Sequence, residues 1–173
     1  PKETTLVPID LTSMSEESQE AFLSLAGELT EANETSFARF YSLLSLEGQA
    51  KYPWLIEKVN EIVADGRKVV IFTPFVSGKD RHTASISTQA IATRLYNEGI
   101  SSVGTFDGSL TEEQRQAVQQ DFHSKDGIKV LVGNYMTAGE SITLNSPENR
   151  ATEVILFIAP NAISRYIQAV DRI

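Results

Sequence analysis

The sequence predicts an α/β fold: a three-layer sandwich with a mainly parallel sheet, preceded by a short helical segment. Three observations carry this. Short apolar runs recur at 68–73 (KVVIFT), 103–106, 129–133 and 153–158. The first is continuously apolar rather than alternating, as in a strand of a parallel sheet covered on both faces. Segments of helical character separate these runs. Strands alternating with helices predict right-handed crossovers and one layered domain.

The elements follow in order. Residues 4–11 suit an extended stretch. Ser13 and Glu16 make an S-x-x-E capping box, opening a helix with the apolar face Ala21, Phe22, Leu25, Ala26 and Leu29. A polar patch at 31–36 breaks it, and Phe37 to Leu46 reads as another short helix. Pro53 sits well in the first turn of a new helix whose stripe is Leu55, Ile56, Val59, Ile62 and Val63, with Gly66 as its stop. These features divide the chain into residues 1–50, a helical segment, and 51–173, an α/β lobe. After KVVIFT comes a polar loop, Val76 to Thr83, then a helix to about Glu98 with Gly99 as its cap. Thr111 and Gln114 form a T-x-x-Q capping box, and Glu112 and Glu113 suit the positive end of that helix.

With 173 residues the chain has enough length for one domain with a real core. No apolar run approaches a membrane span and no signal-peptide pattern opens the sequence, so an intracellular setting, cytoplasm or nucleus, is expected. Cys is absent, which removes disulfides, thiolate metal sites and Cys nucleophiles; two His residues are too few for a His-rich metal site. The net charge of −8 is a poor footprint for an autonomous nucleic-acid binder. It is compatible with a lobe that meets a phosphate backbone through a few loops beside a more basic partner.

Three segments carry chemistry. On the last helix Ile163, Tyr166, Ile167 and Val170 share one face, and Arg165, Gln168 and Arg172 the other. Such a row suits a surface facing a nucleotide, where a guanidinium stabilises charge on phosphate. It also suits a plain solvated face. Gly108 and Ser109 form the turn before the T-x-x-Q helix, where backbone N–H groups can hold a phosphate; an ordinary capped helix fits as well. In TAGESITL, Ala138 and Gly139 permit close backbone approach beside Glu140 and Ser141. That loop follows a strand, at the carboxyl edge where open α/β sheets bind ligands.

Taken together, FDGSLTEEQR at 106–115, KVLVGNYMTAGESITL at 129–144 and QAVDRI at 168–173 resemble motifs IVa, V and VI of superfamily-2 helicase-like ATPases. KVVIFT supplies the motif-IV strand. The blocks belong to that family's second RecA-like lobe, and the sequence is expected to be a piece of a longer protein because it ends inside motif VI. Asp171 and the first fifty residues resemble the Swi/Snf-like group of DNA translocases. There is no G-x-x-x-x-G-K-[ST] loop and no DExx box, which the family carries on its first lobe.

The resemblance implies a RecA-like lobe that closes on ATP and Mg²⁺ held mainly by a first lobe of the same polypeptide. Arg172 would be catalytic; Gly139, Glu140, Ser141, Gln168 and Arg172 would line the ATP cleft. Thr73, Pro74, Gly108, Ser109, Tyr135, Met136 and Thr137 would approach nucleic acid, expected to be double-stranded DNA. The basic cluster Lys79, Arg81 and His82 would join them. Ser141, Thr143, Tyr135 and Met136 depart from the residues usual at these motif positions. No metal ligand is expected in this chain. Two alternatives stay open: a non-enzymatic interaction module with the same fold, and the second lobe of an RNA helicase.

Overall fold

Among the described residues four strands form one sheet in the order β2–β3–β1–β4, with β1 at Lys68–Thr73, β2 at Val103–Phe106, β3 at Val130–Asn134 and β4 at Thr152–Leu156. Every pairing is parallel, and Val70 stands level with both Leu131 and Val154. The chain is seen here as a computed structural model that describes residues 5–8, 10–31, 37–76, 83–137 and 152–158.

All residues of β1 and β3 are buried, as continuously apolar runs require. Alternation then decides which layer each side chain joins. Val69 and Ile71 pack with Leu55, Val59 and Ile62 of helix α2 (Phe37–Ala64) and with Ile91 and Leu95 of helix α3 (Thr88–Asn97). Val70 and Phe72 point the other way, against Phe122 and Val118 of helix α4 (Glu112–His123). The sheet therefore has helices on both faces, the three-layer α/β arrangement the sequence predicts. Each fully buried Leu, Ile or Phe contributes on the order of 1.5–3 kcal/mol.

Helix ends follow local chemistry. Gly66 (φ 73°) and Gly99 (φ 91°) take the left-handed conformation after α2 and α3. Behind them the Arg67 N–H donates to the Ile62 carbonyl and the Ile100 N–H to the Leu95 carbonyl, at 3.1 Å each. These satisfy carbonyls that the helix leaves open. The expected Thr111–Gln114 capping box is formed reciprocally at α4.

Three expectations are corrected. First, the cap of helix α1 (Glu16–Glu31) is Ser15, whose Oγ accepts from the Ser18 N–H at 3.3 Å. Ser13 lies in a preceding 3-10 turn, Leu11–Ser13, capped by Asp10, and its hydroxyl donates to the Asp10 carbonyl. Residues 5–8 join no strand. Second, the two helices expected around Phe37–Leu46 and Pro53 are one helix of 28 residues, with Pro53 inside it. Proline removes the hydrogen bond to the carbonyl four residues back. Here both Pro53 and Gln49 are exposed, so water can serve that carbonyl and the apolar stripe continues unbroken. Third, the helix expected right after Thr83 starts later: Ala84–Ile86 is a 3-10 turn, and Ser87 caps α3.

Helix α1 packs on α2, yet its apolar residues Ala21, Phe22, Leu25 and Ala26 are only half-buried. Among the described residues no helix is long and apolar enough to cross a membrane.

Candidate functional site

The carboxyl ends of β1, β3 and β2 lie side by side, because these three strands are neighbours. Thr73 stands level with Asn134, and Phe106 with Gly133. The segments that leave this edge are 74–76, 107–110 and 135–137. A Cβ on Gly108 would lie 3.8 Å from the Thr137 hydroxyl, so the β2 and β3 exits meet. Topology has thus gathered three separate stretches of sequence onto one edge.

A buried polar network holds them. Asp107, with no exposed surface, opens the turn after β2. Its Oδ1 accepts from the Ser109 N–H at 2.9 Å and the Ser109 hydroxyl at 2.5 Å. Its Oδ2 accepts from the Thr88 hydroxyl at 2.8 Å. Burial by itself would raise the Asp107 carboxyl. The donors Ser109, Thr88 and Gln89 outweigh it and hold the group below its ordinary 3.8.

Thr88 is also fully buried. Its hydroxyl shares one proton between Asp107 and the Val76 carbonyl, the latter at 2.6 Å, and its N–H donates to the Phe75 carbonyl at 2.9 Å. One residue at the start of α3 therefore grips two carbonyls of the β1 exit and the carboxylate of the β2 exit. The 3-10 turn just before α3 is braced in turn by α2. Tyr52 donates to the Ser85 carbonyl at 2.6 Å, and the Ser45 and Ser85 hydroxyls lie 2.7 Å apart.

The residues expected at the nucleic-acid edge divide by exposure. Gly108, Ser109 and Met136 are exposed, and Pro74 is half-buried. Thr73 is fully buried, and its hydroxyl donates to the Ile86 carbonyl at 2.7 Å. Tyr135 is buried too: its ring stacks on Phe72 and its hydroxyl donates to the Ile158 carbonyl at 2.7 Å. Burial pushes its phenol well above the ordinary 10. Thr137 is nearly buried. The side chains of Thr73 and Tyr135 are thus spent inside the fold, and a ligand would meet their backbone or their neighbours. Ser109 has both its N–H and its hydroxyl proton on Asp107, so it reaches solvent beside Gly108 with its donors already engaged.

Lys79, Arg81 and His82 lie outside the described residues, as do Gly139, Glu140, Ser141, Gln168 and Arg172. The residues expected to face ATP are all in the latter group. Among the described residues no group of three or more His, Cys, Asp or Glu could hold a metal ion. Sequence reasoning missed Asp107, Thr88 and Asn134. Asn134 is 2 % exposed, and its Oδ1 accepts from the Met136 N–H at 2.8 Å. A signal existed for two of them. Asp and Asn two residues before a turn amide favour Asx turns, and D-G-S and N-Y-M both end strands. Thr88 gave no such sign, since its partners lie 12 and 19 residues away.

The family described as helicase conserved C-terminal domain matches residues 51–173. Among solved structures, the chain is similar to the crystal structure of the C-terminal part of the Fun30 ATPase domain. The TM-score is 0.53 and the identity 19%, covering 88% of this chain and 43% of that one. The chain thus spans less than half of that structure. No curated protein matches the sequence.

Proposed function

The chain belongs to the helicase conserved C-terminal domain family, the second lobe of superfamily-2 helicase-like ATPases, and from that premise we propose that it completes the ATP site of a double-stranded DNA translocase of the Swi/Snf-like group. The observation that carries the reading is the convergence of three strand exits on one carboxyl edge, with Gly108, Ser109 and Met136 exposed there. That edge would follow a phosphate backbone. Asp171 in motif VI supports the Swi/Snf-like branch over an RNA helicase.

ATP and Mg²⁺ would be held by a first lobe of the same polypeptide, since this sequence has neither a phosphate-cradling loop nor a DExx box. The share of this chain would be electrostatic. Arg172 and Gln168 would face the cleft, and the planar guanidinium would stabilise charge spreading over the γ-phosphate oxygens. The isolated chain should therefore show only background ATP turnover, and weak, salt-sensitive binding to duplex DNA, because a chain of net charge −8 releases few counterions.

The test uses a protein containing both lobes. Arg172→Ala should lower DNA-stimulated ATPase on the order of 10³-fold, the scale of an arginine finger, with little change in melting temperature. Arg172→Lys should rescue poorly, because an ammonium lacks the planar fork. Near-normal turnover in Arg172→Ala would overturn the nucleotide-facing role. Robust turnover by the isolated chain would overturn the division of labour between lobes.

A further inference from the structure

We propose that Thr88 and Asp107 are positioning residues that set the Gly108 turn and the β1 exit as one unit for contact with a phosphate backbone; this rests on the reading of the carboxyl edge given above.

Neither residue has exposed surface beyond a trace, so neither can meet a ligand directly. Each instead controls atoms at the surface. The Asp107 carboxylate fixes both donors of Ser109 and so holds the turn in which Gly108 and Ser109 are exposed. Thr88 fixes that carboxylate, and through the Phe75 and Val76 carbonyls it fixes the chain leaving β1. Remove the hydroxyl and two acceptors, the buried Asp107 carboxylate and the half-buried Val76 carbonyl, lose a donor together. The turn and the exit would then be free to move independently.

The network is more than is needed to cap α3. Ser87 already does that, accepting from the Ala90 N–H at 3.2 Å. Thr88 follows the cap and directs its hydroxyl away from its own helix, towards two other elements. A ligand that spans both elements, such as consecutive phosphates of one strand, benefits when their spacing is preset. The ordering cost is then met during folding rather than during binding.

The experiment follows backbone amide shifts of this chain by NMR while a short DNA duplex is titrated at low salt. Thr88→Val removes the hydroxyl at constant shape, Thr88→Ser restores it, and Lys68→Met at the opposite sheet edge serves as a control for lost stability. In the wild type, the Gly108 amide and the Phe75 and Val76 amides should shift together along one binding curve. In Thr88→Val the apparent affinity should fall about fivefold, the equivalent of one lost hydrogen bond, and the two sets of shifts should separate. Thr88→Ser should recover the wild-type pattern, and Lys68→Met should keep it despite a lower melting temperature. Equal affinity and joint shifts in Thr88→Val would overturn the inference and leave the proposed function standing. A fall of the same size in Lys68→Met would also overturn it, by showing that stability alone sets binding. A wild type whose edge amides ignore DNA would overturn both the phosphate-contacting reading and the inference built on it.

Discussion

The two edges of the sheet use buried polar residues in opposite ways. At the amino edge Lys68, the first residue of β1, is nearly buried, and its ammonium donates to the Phe122 and Ser124 carbonyls at the end of α4. It also lies 5.1 Å from the centre of the Phe122 ring. The Ser102 hydroxyl donates to the Gly127 carbonyl at 3.1 Å and its oxygen accepts from the Lys129 N–H. Each bond there closes one open backbone group. At the carboxyl edge Asp107 and Thr88 bond to several elements at once and support an exposed turn. The amino edge is a seal, and the carboxyl edge is a mount. Burial alone does not tell the two apart; what distinguishes them is whether the buried group fixes something that solvent can reach.

If this contrast holds, mutations at the amino edge should cost stability and spare binding. The largest effect is expected for Gly127→Ala. A Cβ there would lie 2.0 Å from the Asp121 carbonyl oxygen, and backbone must move to admit it. A loss of about 3 kcal/mol is expected, read as a drop of roughly 6–12 °C in melting temperature. Unchanged melting would mean that the α4–β3 connection is looser than its geometry indicates.

Lys68→Met should come next. It leaves two helix-end carbonyls without a donor but returns the cost of burying an ammonium, whose pKa is lowered by that burial and then by nearby Lys129, against the raising influence of Asp121. The net loss should be about 1–2 kcal/mol in chemical denaturation. Duplex binding should hold at wild-type strength, and a matching fall in affinity would erase the distinction between the edges.

Asp107→Asn tests the mount. The amide keeps one acceptor but presents N–H donors to Thr88 or Ser109, which are themselves donors. A stability loss of about 1–2 kcal/mol is expected, accompanied by weaker binding at the Gly108 turn. Full affinity alongside the stability loss would make this edge a seal as well.

The smallest effect is pH dependence. The Asp107 carboxyl titrates lower in the folded chain than in the unfolded one. Its contribution is therefore fully present above the unfolded value near 3.8 and is lost as pH falls through the lower folded value. Acid denaturation curves of wild type and Asp107→Asn should draw together only below the unfolded value near 3.8, as pH falls through the lower folded value. Curves that stay parallel there would mean that the carboxylate carries no linkage.

Much of this was legible in the residues. KVVIFT had to be a strand buried on both faces, and Gly66, Gly99 and the Thr111–Gln114 pair had to punctuate helices, because each signal acts within one or two turns of chain. The same locality explains the errors. Pro53 reads as a helix start by its own preference, but the shared apolar stripe against the sheet carries α2 through it. Ser13 matches a capping pattern, yet Ser15 stands where the helix begins. Of the candidate site, sequence placed Gly108, Ser109, Pro74 and Met136 near one edge by resemblance, and could not tell that the Thr73 and Tyr135 side chains turn inward.

By itself, then, the sequence determined the α/β class, the strand positions and the helix stops, since periodicity and capping are short-range properties. Only the tertiary structure decided the order β2–β3–β1–β4, which makes neighbours of Thr73, Phe106 and Asn134. It also decided that Thr88 would bridge Val76 and Asp107. A hydroxyl twelve residues from one partner and nineteen from the other leaves no periodic trace, because chain folding, not spacing, brings the three together.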